Sequence, residues 1–123
     1  MTIMSVKEKI EDVYQHVQNG TALDAFEKYY ADNVTMILED GTAVEGKDAN
    51  RKRENEFFDS VESFNGMEVV GITANEETGK TSVESWMDVT FNGGNRMKLE
   101  QVATQDWEDG KIVRERFYGT QQN

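Results

Sequence analysis

A chain of 123 residues is the size of one domain, spanning 1–123, and its 37% hydrophobic and 10% aromatic residues are enough for a single core. Its 24 acidic and 13 basic residues leave a net charge of −11, which disfavours nucleic acid and anionic membranes as partners because the phosphate term is repulsive. The absence of cysteine removes disulfides, thiolate catalysis and sulfur-ligated metals, and the single histidine, His16, leaves no multi-histidine site, so neither metal nor cofactor is expected.

The lack of proline leaves glycine as the main punctuation. Met1-Thr2-Ile3-Met4-Ser5-Val6-Lys7 lacks the basic-then-apolar order of a leader, and no apolar run approaches the length of a membrane span, so a cytoplasmic domain is expected. Val6, Ile10, Val13, Tyr14 and Val17 recur at spacings of three and four, which predicts an amphipathic helix ending near Asn19-Gly20. Thr21 is placed to cap a second helix carrying Leu23, Ala25, Phe26 and Tyr29-Tyr30, which Asp32-Asn33 breaks. Val34 to Leu38 reads as a short strand, turned by Glu39-Asp40-Gly41 into Thr42-Ala43-Val44. Gly46 and Lys47-Asp48 open a third helix with Ala49, Phe57, Phe58 and Val61 as its apolar stripe. After Gly66 the period falls from about 3.6 to about 2. Met67 to Ala74, Thr81 to Phe91, Met97 to Trp107 and Lys111 to Tyr118 then read as meandering strands. Asp109-Gly110, between the last two, is a strong hairpin signal. The order predicts an α+β fold with three helices on one side of an antiparallel sheet. A strongly curved sheet closed by helices encloses a pocket on its concave face, where small molecules bind.

A two-residue turn at Asp109-Gly110 pairs Trp107 with Ile112, Thr104 with Glu115 and Val102 with Phe117. One face of the last two strands then holds Glu100, Val102, Thr104, Val113, Glu115 and Phe117. The other holds Leu99, Gln101, Ala103, Gln105, Trp107, Ile112, Arg114, Arg116 and Tyr118, a mixture suited to a subunit interface. The Glu115 face is therefore placed inside. Whether Asp88 or Met87 joins Glu100 there depends on the parity of the Gly93-Gly94 loop, which leaves the face of the Thr81–Phe91 strand open. On the third helix Arg53 lies four residues from both Ala49 and Phe57, so its stem can run along the core and its guanidinium reach the pocket floor. Carboxylates in a poorly hydrated cavity repel, so one stays protonated or finds a cation, and Arg53 is the candidate. Met36, Leu38, Phe57, Val102 and Phe117 are expected to frame the pocket.

Tyr30-Ala31-Asp32-Asn33-Val34-Thr35, the Glu45-Gly46-Lys47 helix opening and the ending Trp107-Glu108-Asp109-Gly110-Lys111-Ile112-Val113-Arg114-Glu115-Arg116-Phe117-Tyr118 resemble the nuclear-transport-factor-2-like superfamily, specifically its SnoaL-like branch. The resemblance covers nearly the whole chain, and its motifs are turn and packing residues that specify a fold and no reaction. It implies a cone-shaped curved sheet packed against three N-terminal helices, the cystatin-like α+β barrel, with an apolar cavity and commonly a homodimer. Members include ketosteroid isomerases, polyketide cyclases, an epoxide hydrolase, dehydratases and non-catalytic transport or assembly domains. Carried over by position, the isomerase's helix tyrosine falls on Tyr14, its general-base aspartate on Leu38 and its protonated aspartate on Val102. Two of those three groups are aliphatic here, so isomerisation by that mechanism is disfavoured. The epoxide hydrolase's Asp–Arg–Asp arrangement is not matched residue by residue, although Arg53, Asp88 and Glu115 supply similar chemical types.

Glu115 is the foremost candidate acid or base, set against the plainer reading of an ion pair with Arg53, Arg114 or Arg116. Tyr14 is either an oxygen-polarising donor or a core tyrosine with its hydroxyl at the rim. Glu100 and Asp88 join Glu115 only if strand parity turns them inward. His16 lies off the apolar stripe and reads as solvent-exposed, and Trp86 and Trp107 read as packing or dimer residues. The functional expectation is a small-molecule-binding domain with a mostly apolar pocket, acting as a homodimer. The alternative is a cofactor-free isomerase, lyase or hydrolase that uses acid/base catalysis on an apolar carbonyl or epoxide.

Overall fold

The computed structural model describes residues 4–119; Met1-Thr2-Ile3, read above for a leader, lie outside them. Helix α1 (Val6–Gln18) begins in a capping box, in which Ser5 and Glu8 exchange side-chain and backbone hydrogen bonds of 3.1 Å. A second cap comes from far along the chain, where Glu76 accepts from the Val6 and Lys7 N–H groups at 2.9 and 3.3 Å. Helix α2 (Ala22–Tyr29) has Thr21 at its N-cap, but the Thr21 hydroxyl meets His16 Nδ1 at 2.7 Å instead of capping the helix. No helix among the described residues is long and apolar enough to cross a membrane.

Strand β1 (Tyr30–Ile37) starts directly after α2, four residues earlier than the hydropathy suggests. Asp32 and Asn33 sit exposed inside it, where its pairing is irregular between Tyr30 and Thr35. The short β2 (Ala43–Glu45) leads into α3 (Lys47–Asp59). Four long strands follow, β3 (Val61–Asn75), β4 (Lys80–Phe91), β5 (Arg96–Glu108) and β6 (Lys111–Gly119). The sheet order is β2-β1-β6-β5-β4-β3. All neighbours are antiparallel except β1 and β6, which run parallel. That one seam departs from the antiparallel expectation because β1 and β6 are joined by the whole intervening chain, the long connection that parallel pairing needs. Three register irregularities in β3 bend the sheet, which remains open with β2 and β3 as its edges.

The helices cover the concave face. Ile10, Val13 and Tyr14 of α1 meet Ala25, Phe26 and Tyr29 of α2 and Val34, Met36, Val83, Trp107 and Ile112 of the sheet in one core. Tyr30 stacks on Phe26 with ring centroids 4.9 Å apart and planes 10° from parallel, which fixes its side chain against the core. At the β5–β6 hairpin Asp109 and Gly110 both take positive φ, 51° and 78°, as a two-residue I′ turn requires. Gly79, also at positive φ, has no room for a side chain, because a Cβ there would lie 2.8 Å from the Trp107 carbonyl oxygen.

The third helix departs from its expected stripe. Ala49 is exposed, and the fully buried position is Asn50, whose amide donates to the Val44 and Gly46 carbonyls at 2.9 and 2.8 Å. A polar residue is tolerated inside because it closes the β2–α3 corner with hydrogen bonds that hydropathy does not register. Asn50→Ala is expected to lower the unfolding free energy by about 2 kcal/mol by removing these two buried side-chain hydrogen bonds. A urea midpoint equal to the parent's, at unchanged m-value, would show that Asn50 does not hold this corner.

Candidate functional site

Between the helices and the concave face lies a cavity of about 500 Å³. Its walls are largely apolar, from Val13, Val17, Leu23 and Phe26 of the first two helices to Met87, Leu99 and Phe117 of the sheet. Phe57, Phe58 and Phe91 line one side, with Phe57 edge-on to Phe58 at 5.4 Å and to Phe91 at 6.1 Å. Polar groups reach the cavity from Tyr14, Tyr30, Ser85, Gln101, Glu115 and the neighbouring pair Arg53 and Glu54.

Which strand residues point inward is decided by a bulge beside the β5–β6 turn. Trp107 pairs with Ile112 as expected, but the next pair is Asp106 with Arg114, which leaves Val113 without a partner. From there Gln105 faces Glu115 and Ala103 faces Phe117. The extra residue keeps Glu115 and Phe117 inside, brings Ile112 inside as well, and reverses β5 relative to expectation. Leu99, Gln101, Ala103, Gln105 and Trp107 therefore face the interior, while Glu100, Val102 and Thr104 lie on the outer face. Val102 is 38% exposed and Trp107 only 6%. The expectations corrected here are Val102 as a pocket wall and the placing of Leu99, Gln101, Ala103, Gln105, Trp107 and Ile112 on an interface face; of the two readings of Trp107, packing holds. Carry-over of the isomerase acid to Val102 fails for the same reason, and the inward neighbours Gln101 and Ala103 are not acids either.

Along β4 the register pairs Met87 with Leu99 and Asp88 with Lys98, so Met87 takes the cavity side. Asp88 lies outside in a two-point pair with Arg96, at 3.0 Å to Nε and 2.8 Å to Nη2, which lowers its pKa below the ordinary carboxylate value. Glu100 borders the cavity rim, but its carboxylate is exposed and lies 3.6 Å from Lys98 Nζ. Neither acid joins Glu115 inside. Of the other expected wall residues, Leu38, Phe57 and Phe117 line the cavity. Met36 is buried behind the wall, its sulfur 3.4 Å from Arg53 Nη2. His16 sits near Asp12 and Thr21, away from the cavity.

Glu115 is 2% exposed and has no ion-pair partner among the described residues. Its carboxylate is instead held by neutral donors: Tyr30 O–H donates to Oε1 at 2.6 Å, and the Gln105 amide donates to Oε2 at 2.7 Å. Burial is the main influence on its proton affinity, raising its pKa to about 7, with the nearby Glu54 adding to the rise. The two hydrogen bonds and Arg53 act in the opposite sense. Arg53 reaches the cavity as its spacing suggests, but its ion-pair partner is Glu54, at 3.1 Å. Burial raises Glu54 too, against the pull of Arg53. Tyr14 is buried with its pKa held above the phenol range by desolvation and then by Glu115, so its hydroxyl keeps its proton and can donate. Burial followed by Glu115 does the same to Tyr30.

Tyr30, Glu54, Gln101 and Gln105 were not singled out by sequence reasoning. Tyr30 stood inside the Tyr30-Ala31-Asp32 motif but was read as helix, and Glu54 adjoins Arg53. For Gln105 a signal was present, since Ala103, Gln105 and Trp107 alternate as one face would, with a polar residue between two core residues.

Residues 4–119 match the family model described as a SnoaL-like domain. No curated protein matches the sequence. Among solved structures, a candidate SnoaL-like polyketide cyclase of Mesorhizobium loti is 26% identical with a TM-score of 0.82, the alignment covering 94% of this chain and 99% of that one. A candidate polyketide cyclase of Pseudomonas putida is 17% identical with a TM-score of 0.79, over 94% and 92% of the two chains. A candidate isomerase of Bacillus subtilis is 16% identical with a TM-score of 0.78, over 95% and 90%. With the family model spanning nearly every residue, the chain belongs to the SnoaL-like domain family of the nuclear-transport-factor-2-like superfamily.

Proposed function

We propose that this protein binds one small, mostly apolar molecule between its helices and the concave sheet. The observation that carries this reading is the pairing of a largely apolar 500 Å³ cavity with one buried carboxyl, Glu115, that has only neutral hydrogen-bond donors. Apolar walls supply the driving force, and a few convergent polar groups orient the ligand. The ligand would place an oxygen near the Tyr14 hydroxyl and its reactive or hydrogen-bearing atoms near Glu115.

The same site supports turnover. A carboxyl poised near neutrality is matched to proton transfer at physiological pH, because both of its protonation states are populated. In this reading Glu115 is the acid or base of a cofactor-free isomerase, lyase or hydrolase acting on an apolar carbonyl or epoxide. Tyr14 polarises the oxygen and Arg53, paired with Glu54, sets the local field. The polyketide cyclase and isomerase descriptions of the similar structures are consistent with small-molecule chemistry in such a cavity.

We also propose a homodimer through the outer sheet face. That face interleaves Lys98, Arg114 and Arg116 with Glu100 and Asp106, so two copies related by a two-fold axis can place opposite charges against each other. It also exposes Val102 and Tyr118, and Arg116 Nε is buried there with no partner among the described residues. Sedimentation is expected to show a dimer at micromolar concentration that Tyr118→Glu weakens at least tenfold. A monomeric parent protein would exclude this interface.

Three further outcomes follow from the cavity. A screen of small apolar carbonyl compounds by protein NMR should shift signals of Tyr14, Tyr30 and Glu115, and Leu99→Trp, which fills the cavity, should abolish the shifts. A screen in which hits perturb only the outer face would refute the proposal. Glu115→Gln should weaken binding or stop turnover while Asp88→Asn leaves both unchanged. For stability, the folded-state pKa of about 7 lies above the ordinary glutamate value of 4.5, so the folded state binds the extra proton and the group's contribution is complete only below the lower value. That contribution is lost as pH rises towards 7. Relative to Glu115→Gln, the parent is expected to lose on the order of 3 kcal/mol between pH 4.5 and pH 8. Parallel stability curves in chemical denaturation would show that Glu115 does not titrate in this way.

A further inference from the structure

Behind the cavity wall runs a chain of buried polar side chains that the proposed chemistry does not touch. Trp107 Nε1 lies 2.9 Å from Thr81 Oγ1, Thr81 Oγ1 lies 2.6 Å from Gln105 Oε1, and Gln105 Nε2 lies 2.7 Å from Glu115 Oε2. Trp107, Thr81 and Gln105 are 6%, 3% and 1% exposed, so solvent does not compete for these groups.

The direction of this chain is fixed by its two ends together, a donor-only indole and an acceptor-only carboxylate. An indole N–H can only donate, so Thr81 Oγ1 must accept from Trp107. The one hydrogen on the Thr81 hydroxyl goes to Gln105 Oε1, the orientation that an ionised Glu115 also requires, because a carboxylate oxygen only accepts and so takes the Gln105 amino group. The Gln105 amino group is left facing Glu115. An amide that could otherwise turn over is thereby set with its donor towards the carboxyl.

We infer that Trp107, Thr81 and Gln105 are positioning residues that hold Glu115 Oε2 as an acceptor and direct the Glu115 proton to Oε1, where it exchanges through the Tyr30 hydroxyl. This rests on the reading of Glu115 as the acid or base of the cavity. A protonated carboxyl oxygen is a poor acceptor, so while Gln105 holds Oε2 the proton takes Oε1. Oε1 already faces the Tyr30 hydroxyl, and Tyr30 itself lines the cavity. When a ligand gives up a proton, that proton goes to the Tyr30 oxygen as the Tyr30 O–H proton passes to Oε1. Tyr30 is neutral before and after, the ligand becomes its conjugate base, and Glu115 holds the proton. The reverse step returns it. In the acid form Glu115 O–H donates to the Tyr30 oxygen and the Tyr30 O–H is presented to the cavity.

The test is a pH titration of isotopically labelled protein, following the Glu115 carboxyl carbon and the Gln105 side-chain amide by NMR. Thr81→Val removes the constraint on the amide, and the Glu115 midpoint should rise by about one pH unit, a tenfold gain in proton affinity. Thr81→Ser keeps the hydroxyl and should restore the parent midpoint, and Trp107→Phe should shift it in the same direction as Thr81→Val. In the unsubstituted protein at high pH, a scalar coupling across the hydrogen bond should link Gln105 Nε2 to the Glu115 carboxyl carbon. Absence of that coupling, or an unchanged midpoint in both Thr81→Val and Trp107→Phe, would overturn the inference. If Thr81→Val does not fold, the coupling and Trp107→Phe decide. The titration needs no ligand, so it judges the chain separately from the ligand screen that judges the cavity.

Discussion

A carboxyl that is 2% exposed must satisfy both of its oxygens within the protein, and the arrangement around Glu115 follows from that requirement. Its two donors come from separate strands, Tyr30 at the start of β1 and Gln105 on β5, while Glu115 itself is on β6. Meeting them joins three neighbouring strands, including the single parallel seam between β1 and β6. The same contact places Tyr30 where its ring stacks on Phe26, so α2 is held over the concave face by the residue that satisfies the buried acid.

Neutral donors have a different consequence from a cation. An arginine bound directly to Glu115 would hold it ionised across the physiological range. Tyr30 and Gln105 offset only part of the desolvation penalty, which leaves both protonation states accessible. The guanidinium that could have neutralised it, Arg53, is occupied by its sequence neighbour Glu54. Two carboxyls therefore share the cavity wall, one ion-paired and one held by neutral donors. Pairs of acids whose surroundings differ in this way are characteristic of sites that move protons.

The two faces of the sheet separate two kinds of electrostatics. On the outer face Asp88, Glu100 and Asp106 lie against Arg96, Lys98 and Arg114, in water, where such pairs contribute little stability and mainly keep charges apart from the core. Inside, few polar groups are present and each carries weight. Moving Asp88 or Glu100 from one face to the other needs only a one-residue slip, which makes the registers at the β4–β5 and β5–β6 hairpins decisive for the chemistry of the cavity.

Local chemistry was enough to read the element order and the Asp109-Gly110 turn, because each rests on neighbours in the chain, whereas Glu115 was placed inside against Thr104 and meets Gln105 instead. The family was also legible from the Tyr30–Thr35 and Trp107–Tyr118 segments, whose turn and packing residues lie in continuous stretches. The bulge at Val113 was not, since an unpaired residue in a ladder is defined by the strand opposite. Without it Val102 and Trp107 were assigned to the wrong faces. The partners of Glu115 were equally hidden: Tyr30 is 85 positions away and Gln105 lies ten positions back across a hairpin whose register only the folded sheet fixes. Sequence determined the element order, the tight Asp109-Gly110 turn and the family, all of which are carried by contiguous residues. Tertiary structure decided which donors meet Glu115, because hydrogen-bond partners across a sheet are set by strand register and not by residue type.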